Sequence, residues 1–277
     1  MWVIDDQQYL GQLDGFSRAA QFADGLFETM VVKKGQIQAL NYHAQRLGSG
    51  CARLDIKLPD NNLTELFIAY AHKFVELSGL ESGVLKVIVS RGNSERGYGY
   101  DDVITPKVTA FFNPLPQYNE NSYEHGVSVK CLATECSIQK QMAGLKHLNR
   151  LENVLAKKEL GSEAFEGLMF NHLGYVIEGT SSNIFFEKNN QLFTPKLNVS
   201  GVAGVMRSCI INHAESQNII IKVDDIAREQ LDQFEQGFIC NSVMGIMPIA
   251  QLDGRSFKIG PQTKAMQEAC KDGVVYG

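Results

Sequence analysis

Four short apolar segments follow one another between residues 167 and 194, at 167–171, 175–178, 183–187 and 191–194, with only turns between them. Strands in such close succession point to a mostly antiparallel sheet, not to the strict strand–helix alternation of a parallel one. Asn189-Asn190 separates the last two segments and predicts a hairpin. A helix is expected to start near Gly204.

Upstream, the first third mixes both element types. Residues 26–32 read as a strand, and the turn residues 33–35 lead to a second at 36–40. Ala44, Leu47, Cys51 and Leu54 recur at helical spacing within 42–54, and a second amphipathic stretch covers 63–77. Further strands are expected at 84–90 and 107–112. Residues 113–126 (NPLPQYNENSYEHG) are polar, carry two prolines and lack periodicity, which reads as a linker. A strand at 127–132 and a helix from His147 to about Leu160 follow. The pattern predicts an α+β chain in two unequal parts. They are a small N-terminal α/β domain over 1–113, a linker over 114–126 and a larger C-terminal domain over 127–277. With 277 residues, 44% of them hydrophobic, the chain is long enough to bury a large core divided in this way.

Charge and cysteine usage narrow the function. The net charge is −5 and no dense Lys/Arg run is present, which argues against a nucleic-acid partner. No apolar stretch approaches the roughly 18 residues that span a bilayer. The opening MWVIDDQQYL develops no apolar core of a secretory signal, so no membrane partner is expected. Six scattered cysteines form no C-x-x-C pair and read as reduced thiols of a cytoplasmic protein, with no metal site.

Several residues suggest chemistry. Lys146 follows a glycine at the mouth of the helix expected from His147. There the helix dipole favours the neutral amine that a Schiff base needs. By position alone it reads first as a solvated lysine. Glu178 changes the balance, because it ends an apolar strand and opens a small-residue turn before another apolar strand. A carboxylate so placed is able to serve the ring nitrogen of pyridoxal phosphate, whose electron-sink character depends on an acidic partner; otherwise it faces solvent. Gly201-Val202-Ala203-Gly204-Val205-Met206-Arg207 is a glycine-punctuated loop entering a helix, a setting suited to an anion. Arg46 lies on a helix beside core positions, and either a phosphate or a surface carboxylate answers its charge.

Taken in order, Phe22 to Thr29 (FADGLFET), His43-x-x-Arg46-Leu47, Lys146, Glu178-Gly179-x-x-x-Asn183-Ile184-Phe185 and Gly204-Val205-Met206-Arg207 resemble the fold-type IV pyridoxal-phosphate enzymes. That family includes branched-chain and D-amino-acid aminotransferases and aminodeoxychorismate lyases. The likeness runs from about residue 4 to 250. It implies a two-domain fold with a barrel-like C-terminal domain, pyridoxal 5'-phosphate as cofactor, and a homodimer. It also implies roles: Lys146 carries the cofactor and shuttles protons, and Glu178 pairs with the pyridine nitrogen. Arg46, the backbone of Val205 and Met206, and Ser242 hold the phosphate. The aminotransferases usually have Thr where Met206 stands, so only a backbone contact is expected there.

Three segments resemble the lyase branch in particular: Lys146 to Leu151 (KHLNRL), Ser90-Arg91-Gly92-x-x-x-Arg96-Gly97-Tyr98, and Asn241-Ser242-Val243-Met244-x-x-Met247-Pro248. The implied reaction converts aminodeoxychorismate into 4-aminobenzoate and pyruvate, a step of folate synthesis. Arg96, Asn241 and Tyr98 are the candidates for the substrate carboxylates. Thr29 and Tyr42 are further pocket candidates. An aminotransferase for D- or branched-chain amino acids shares every cofactor residue and is the alternative.

Overall fold

The structure, a computed structural model, describes residues 2–5, 8–9, 17–57, 62–94, 96–101, 103–271 and 273–276. The chain divides into two units. Met1–Pro116 and Leu145–Asn149 form the first, Gln117–Gly144 and Arg150–Gly277 the second.

In the first unit the elements are β1 (Trp2–Asp5), β2 (Gln8–Tyr9), α1 (Arg18–Phe22), β3 (Gly25–Lys33), β4 (Gln36–Ile37), α2 (Leu40–Arg53), α3 (Leu63–Ser78), β5 (Gly83–Ser90) and β6 (Lys107–Asn113). The strands build one antiparallel sheet in the order β2-β1-β6-β5-β3-β4. Lys34 and Gly35 both take positive φ, 50° and 74°, which suits the tight β3–β4 turn expected from the sequence. Side chains alternate along each strand. Leu26, Met30, Leu85, Val87, Ala110 and Phe112 therefore share one face, where they pack with Leu47, Phe67, Tyr70 and Phe74 of α2 and α3. Phe74 stacks on Phe112 at 4.8 Å between ring centres. Truncating either ring to Ala in such a core costs about 3–5 kcal/mol. Phe27, Thr29 and Lys86 fall on the opposite face, with Thr29 directly across from Lys86.

The second unit continues with α4 (Glu120–Glu124), β7 (Val127–Cys136), α5 (Leu151–Leu160), β8 (Glu166–Asn171), β9 (Val176–Gly179), β10 (Asn183–Lys188), β11 (Gln191–Pro195), α6 (Val205–Ser216), β12 (Ile221–Asp224), β13 (Gln236–Asn241), β14 (Gly245–Leu252), β15 (Arg255–Ser256) and α7 (Pro261–Lys271). Its sheet has the order β12-β11-β10-β13-β14-β7-β8-β9, with β15 on β14. The closely spaced strands pair antiparallel as expected, β8 with β9 and β10 with β11, and β10 with β13 and β13 with β14 are antiparallel too. Asn189 and Asn190 carry the β10–β11 turn at φ 52° and 59°. Three pairs are parallel, β7 with β8, β11 with β12 and β14 with β7; the first two form where a single helix intervenes, α5 in one case and α6 in the other. A crossover of that length lets the chain return in the same direction.

The structure differs from the sequence expectation in three places. The stretch read as a linker holds α4, and the units part between Pro116 and Gln117. The helix expected from His147 begins at Leu151. The segment carrying Lys146 belongs to the first unit, whereas the sequence reading puts it in the C-terminal domain. The last two differences have one cause. The Phe27 N–H donates to the Lys146 carbonyl at 2.9 Å and the Leu148 N–H to the Gly25 carbonyl at 3.0 Å. The backbone around Lys146 is thus claimed by β3 and is not available to a helix.

Candidate active site

Lys146 is half-buried in the first unit, with its main chain fixed by the bonds to β3. Its Nζ lies 4.4 Å from the centre of the Phe27 ring. The helix that the sequence reading began at His147 starts at Leu151, so Lys146 does not adjoin its first turn along the chain.

Arg46 projects from α2 toward Glu28 of β3. Its Nε donates to Oε1 at 2.7 Å and its Nη2 to Oε2. His43, one turn earlier on α2, donates from Nδ1 to Oε2 of the same carboxylate at 2.6 Å. Burial by itself raises a carboxyl, but Arg46 and His43 outweigh it and hold Glu28 at about 2. Burial lowers His43, against the opposing pull of the Glu28 carboxylate, and Nδ1 is the nitrogen that donates to that carboxylate. Its Nε2 is buried, with no hydrogen-bond partner among the described residues. Sequence reasoning singled out Arg46 but missed Glu28 and His43. The i,i+3 spacing of His43 and Arg46 was the available signal.

In the second unit Glu178 is 4% exposed near the end of β9, and its Oε2 accepts the Val202 N–H at 2.8 Å. Half-buried Arg150 lies within its electrostatic reach. The turn that follows is organised by Glu166, also buried. Its carboxylate accepts from the main chain of Thr180 and Ser181 at 3.2 and 3.3 Å, and from the hydroxyls of Thr180, Ser181 and Ser182. Three adjacent hydroxyl residues were the sequence trace of this clamp.

The glycine loop behaves as its punctuation suggests. Gly201 takes φ 81°, and Val202 bridges to Gly144. A Cβ on Gly204 would stand 1.9 Å from Asn183 Oδ1, so no side chain fits there. Gly204 caps α6 without a side-chain hydrogen bond, and the first turn, which begins with Val205 and Met206, holds no acidic residue. Such a terminus presents N–H groups and a positive dipole end to an anion. Ser242 occupies the turn between β13 and β14. Arg207, by contrast, is structural: it donates to the Pro195 carbonyl at 3.0 Å.

The substrate candidates fare unequally. Arg96 is exposed on the loop after β5. Tyr98 is 84% exposed, its ring 5.3 Å from that of Phe22. Arg18 braces this loop through the carbonyls of Tyr98 and Gly99 at 2.8 and 3.1 Å. Arg91 is committed elsewhere, to Asp24 and to the carbonyls of Leu54 and Asp55. Asn241 holds the Ser242 turn: Oδ1 accepts from Val243 and Met244 at 2.9 and 2.8 Å, while Nδ2 donates to the Ser181 carbonyl at 3.0 Å. Thr29 and Tyr42 are half-buried on β3 and α2.

Residues 25–252 match the model of the amino-transferase class IV family, and the chain belongs to that family. Within it, the chain is 34% identical over 255 residues to an aminodeoxychorismate lyase of Vibrio harveyi, covering 90% of this chain and 92% of that one. It is 28% identical over 262 residues to a D-alanine aminotransferase of Bacillus licheniformis, covering 93% and 90%. Its fold superposes on the crystal structure of 4-amino-4-deoxychorismate lyase from Pseudomonas aeruginosa with a TM-score of 0.91, at 34% identity and 98% coverage of both chains.

Proposed function

We infer that this protein is a lyase that converts 4-amino-4-deoxychorismate into 4-aminobenzoate and pyruvate, with pyridoxal 5'-phosphate as cofactor. The observation that carries the reading is the likeness to the Vibrio harveyi and Pseudomonas aeruginosa lyases, each 34% identical along most of the chain, against 28% for the Bacillus licheniformis D-alanine aminotransferase. The reaction belongs to folate synthesis.

The residues present fit the cofactor. Lys146 supplies a primary amine on a fixed backbone, Glu178 a buried carboxylate for the ring nitrogen, and α6 an uncapped N-terminus for the phosphate at Val205 and Met206. Ser242 and the Arg46 guanidinium complete the phosphate set. The cofactor, when bound, supplies an electron sink for a carbanion formed next to the substrate nitrogen. The chain's own residues do the rest. Lys146 Nζ takes the proton from the amine-bearing ring carbon and is the return nucleophile that frees the product. Glu178 keeps the ring nitrogen protonated, and Glu28 holds Arg46 in one orientation. Arg96 binds a substrate carboxylate from the exposed loop, with Tyr98 beside it, and Asn241 acts by setting the Ser242 turn. Expulsion of pyruvate leaves an aromatic ring, which drives the step forward.

The protein is further proposed to act as a homodimer in the cytoplasm. Leu151, Val154 and Leu155 form an apolar ridge along α5 that is 70%, 61% and 51% exposed in the single chain, and a second copy is the occupant that the family resemblance supplies. All six cysteines are free, as suits a reducing compartment. Among the described residues no helix is long and apolar enough to cross a membrane. Incubation of the purified protein with aminodeoxychorismate tests the function. Pyruvate and 4-aminobenzoate should appear in equal amounts with no keto acid added. Silence on this substrate together with amino transfer from D-alanine to 2-oxoglutarate overturns the lyase reading in favour of an aminotransferase.

A further inference from the structure

The stretch that carries Arg96 turns at a glycine on either side: Gly92 and Gly97 take φ 112° and 104°. A loop with two such residues has many backbone forms open to it. Arg18 of α1, only 3% exposed, holds it in one. Its Nη1 donates to Ser94 Oγ at 2.6 Å and to the Gly99 carbonyl at 3.1 Å, and its Nη2 to the Tyr98 carbonyl at 2.8 Å. Its Nε donates to Asp24 Oδ2 at 2.7 Å, and Arg91 Nε reaches the same oxygen at 2.9 Å. One carboxylate thus answers two guanidiniums, and oxygens of the loop take the other N–H groups of Arg18. The Tyr100 ring covers the pair, its centre 3.9 Å from Arg91 Cζ and 5.5 Å from Arg18 Cζ. Burying a guanidinium costs desolvation energy, which is returned only while its acceptors stay in place. An opened loop would leave that buried charge short of partners, whereas water would serve the loop carbonyls as well. The need of Arg18 for acceptors is therefore what keeps the loop in this form.

We propose that Arg18 is a positioning residue for substrate binding: it holds the chain on both sides of Arg96, presents that side chain in one orientation, and acts on the substrate only through it. This rests on the lyase reading and on Arg96 as the partner of a substrate carboxylate. A long exposed side chain on a free backbone loses more freedom on meeting an anion than one whose backbone is already fixed. Asp24 sets the direction of Arg18. Arg91, bound to the carbonyls of Leu54 and Asp55 at 2.8 and 2.9 Å, ties the cluster to the chain just after α2. In this scheme Arg18 neither touches the substrate nor transfers a proton.

The test uses the holoenzyme, its Arg18→Lys, Ser94→Ala and Arg96→Ala variants, and the double variant of Arg18→Lys with Arg96→Ala, with folding checked by circular dichroism and cofactor loading by absorbance. Lysine keeps a charge for Asp24 but not the planar fork that spans the loop oxygens. Arg18→Lys should raise the KM for aminodeoxychorismate about tenfold while kcat stays within a factor of about three. Ser94→Ala removes one bond to Nη1 and leaves the Asp24 pair intact, so it should raise the KM about two- to tenfold. It takes the place of Arg18→Lys, alone and in the double variant, if the latter does not fold. The double variant should be no worse than Arg96→Ala, because Arg18 then has nothing to position; a general structural loss would multiply with it instead. If the parent makes 4-aminobenzoate but folded, loaded Arg18→Lys and Ser94→Ala keep its KM, the role of Arg18 is wrong and the lyase reading stands. Losses that multiply in the double variant, a loss confined to kcat, or an Arg96→Ala variant with the parent's KM overturn that role as well. If the parent makes no 4-aminobenzoate, the lyase reading itself fails and the role of Arg18 with it.

Discussion

Arg46 and Glu28 form a two-pronged ion pair, with Nε on Oε1 at 2.7 Å and Nη2 on Oε2. A single carboxylate on a sheet strand thereby fixes the direction of an arginine on the neighbouring helix. A lone guanidinium would swing among rotamers, and a forked partner removes that freedom.

This pair predicts an acid-sensitive term in stability. Glu28 falls to about 2 in the folded protein from an ordinary value of 4.5, so its stabilisation is complete above about pH 4.5 and is lost as the pH falls toward 2. The shift corresponds to roughly 3 kcal/mol at neutral pH. Glu28→Gln should lower the melting temperature at pH 7 and flatten the decline between pH 4.5 and 2. Parallel acid profiles for parent and variant would show that the pair contributes no such term.

Lys146 is expected to carry the cofactor. Borohydride reduction of the yellow holoenzyme followed by peptide mapping should place the pyridoxyl group on Lys146. The half-buried amine next to it on the Phe27 ring, Lys86, is the internal control. Label at Lys86 or any other lysine would move the assignment.

Glu178→Gln should retain the fold, because the amide oxygen still accepts the Val202 N–H, and should keep some bound cofactor. Turnover should drop on the order of a hundredfold or more, the scale seen when one placed electrostatic group is removed. Near-normal turnover in a loaded variant would mean that the ring nitrogen has another partner.

Arg96→Ala should raise the KM for aminodeoxychorismate and leave cofactor binding unchanged. A charge-assisted contact is worth roughly 1.5–3 kcal/mol, so kcat/KM should drop about ten- to a hundredfold. Lys at this position should rescue only in part, since a point charge does not reproduce a bidentate contact. An unaltered KM would leave Arg96 a solvated loop charge. Arg91 is no substitute, because it is bound to Asp24 and two carbonyls.

Val154→Asp tests the α5 ridge. In a dimer that covers this ridge, the variant should sediment as a monomer. Sedimentation at the parent's mass would place the interface elsewhere.

Much of the fold was legible in the sequence because it rests on local pattern. The β3–β4 and β10–β11 hairpins follow from turn residues that tolerate positive φ, and α2 and α3 from apolar spacing. The C-terminal strands from β12 onward lack such a pattern; they form because neighbours already in the sheet complete their hydrogen bonds. The apolar residues Leu151, Val154 and Leu155 of α5 show a related limit. Periodicity finds an apolar face but not what covers it, and in the single chain this one is largely open.

The sequence by itself determined the residue types of the candidate site and their order: a lysine, a strand-end glutamate, a helix arginine and a glycine loop. Tertiary structure alone decided how each is held. Lys146 sits on an extended segment because β3 takes its carbonyl, and Arg46 is aimed by a carboxylate 18 residues earlier in the chain. Lys86 joins Lys146 at one ring because strand register places it across from Thr29. Patterns of period two or 3.6 report which face a side chain occupies. Hydrogen bonds and ion pairs between distant segments depend on which elements meet, and that is fixed only when the sheet closes its register.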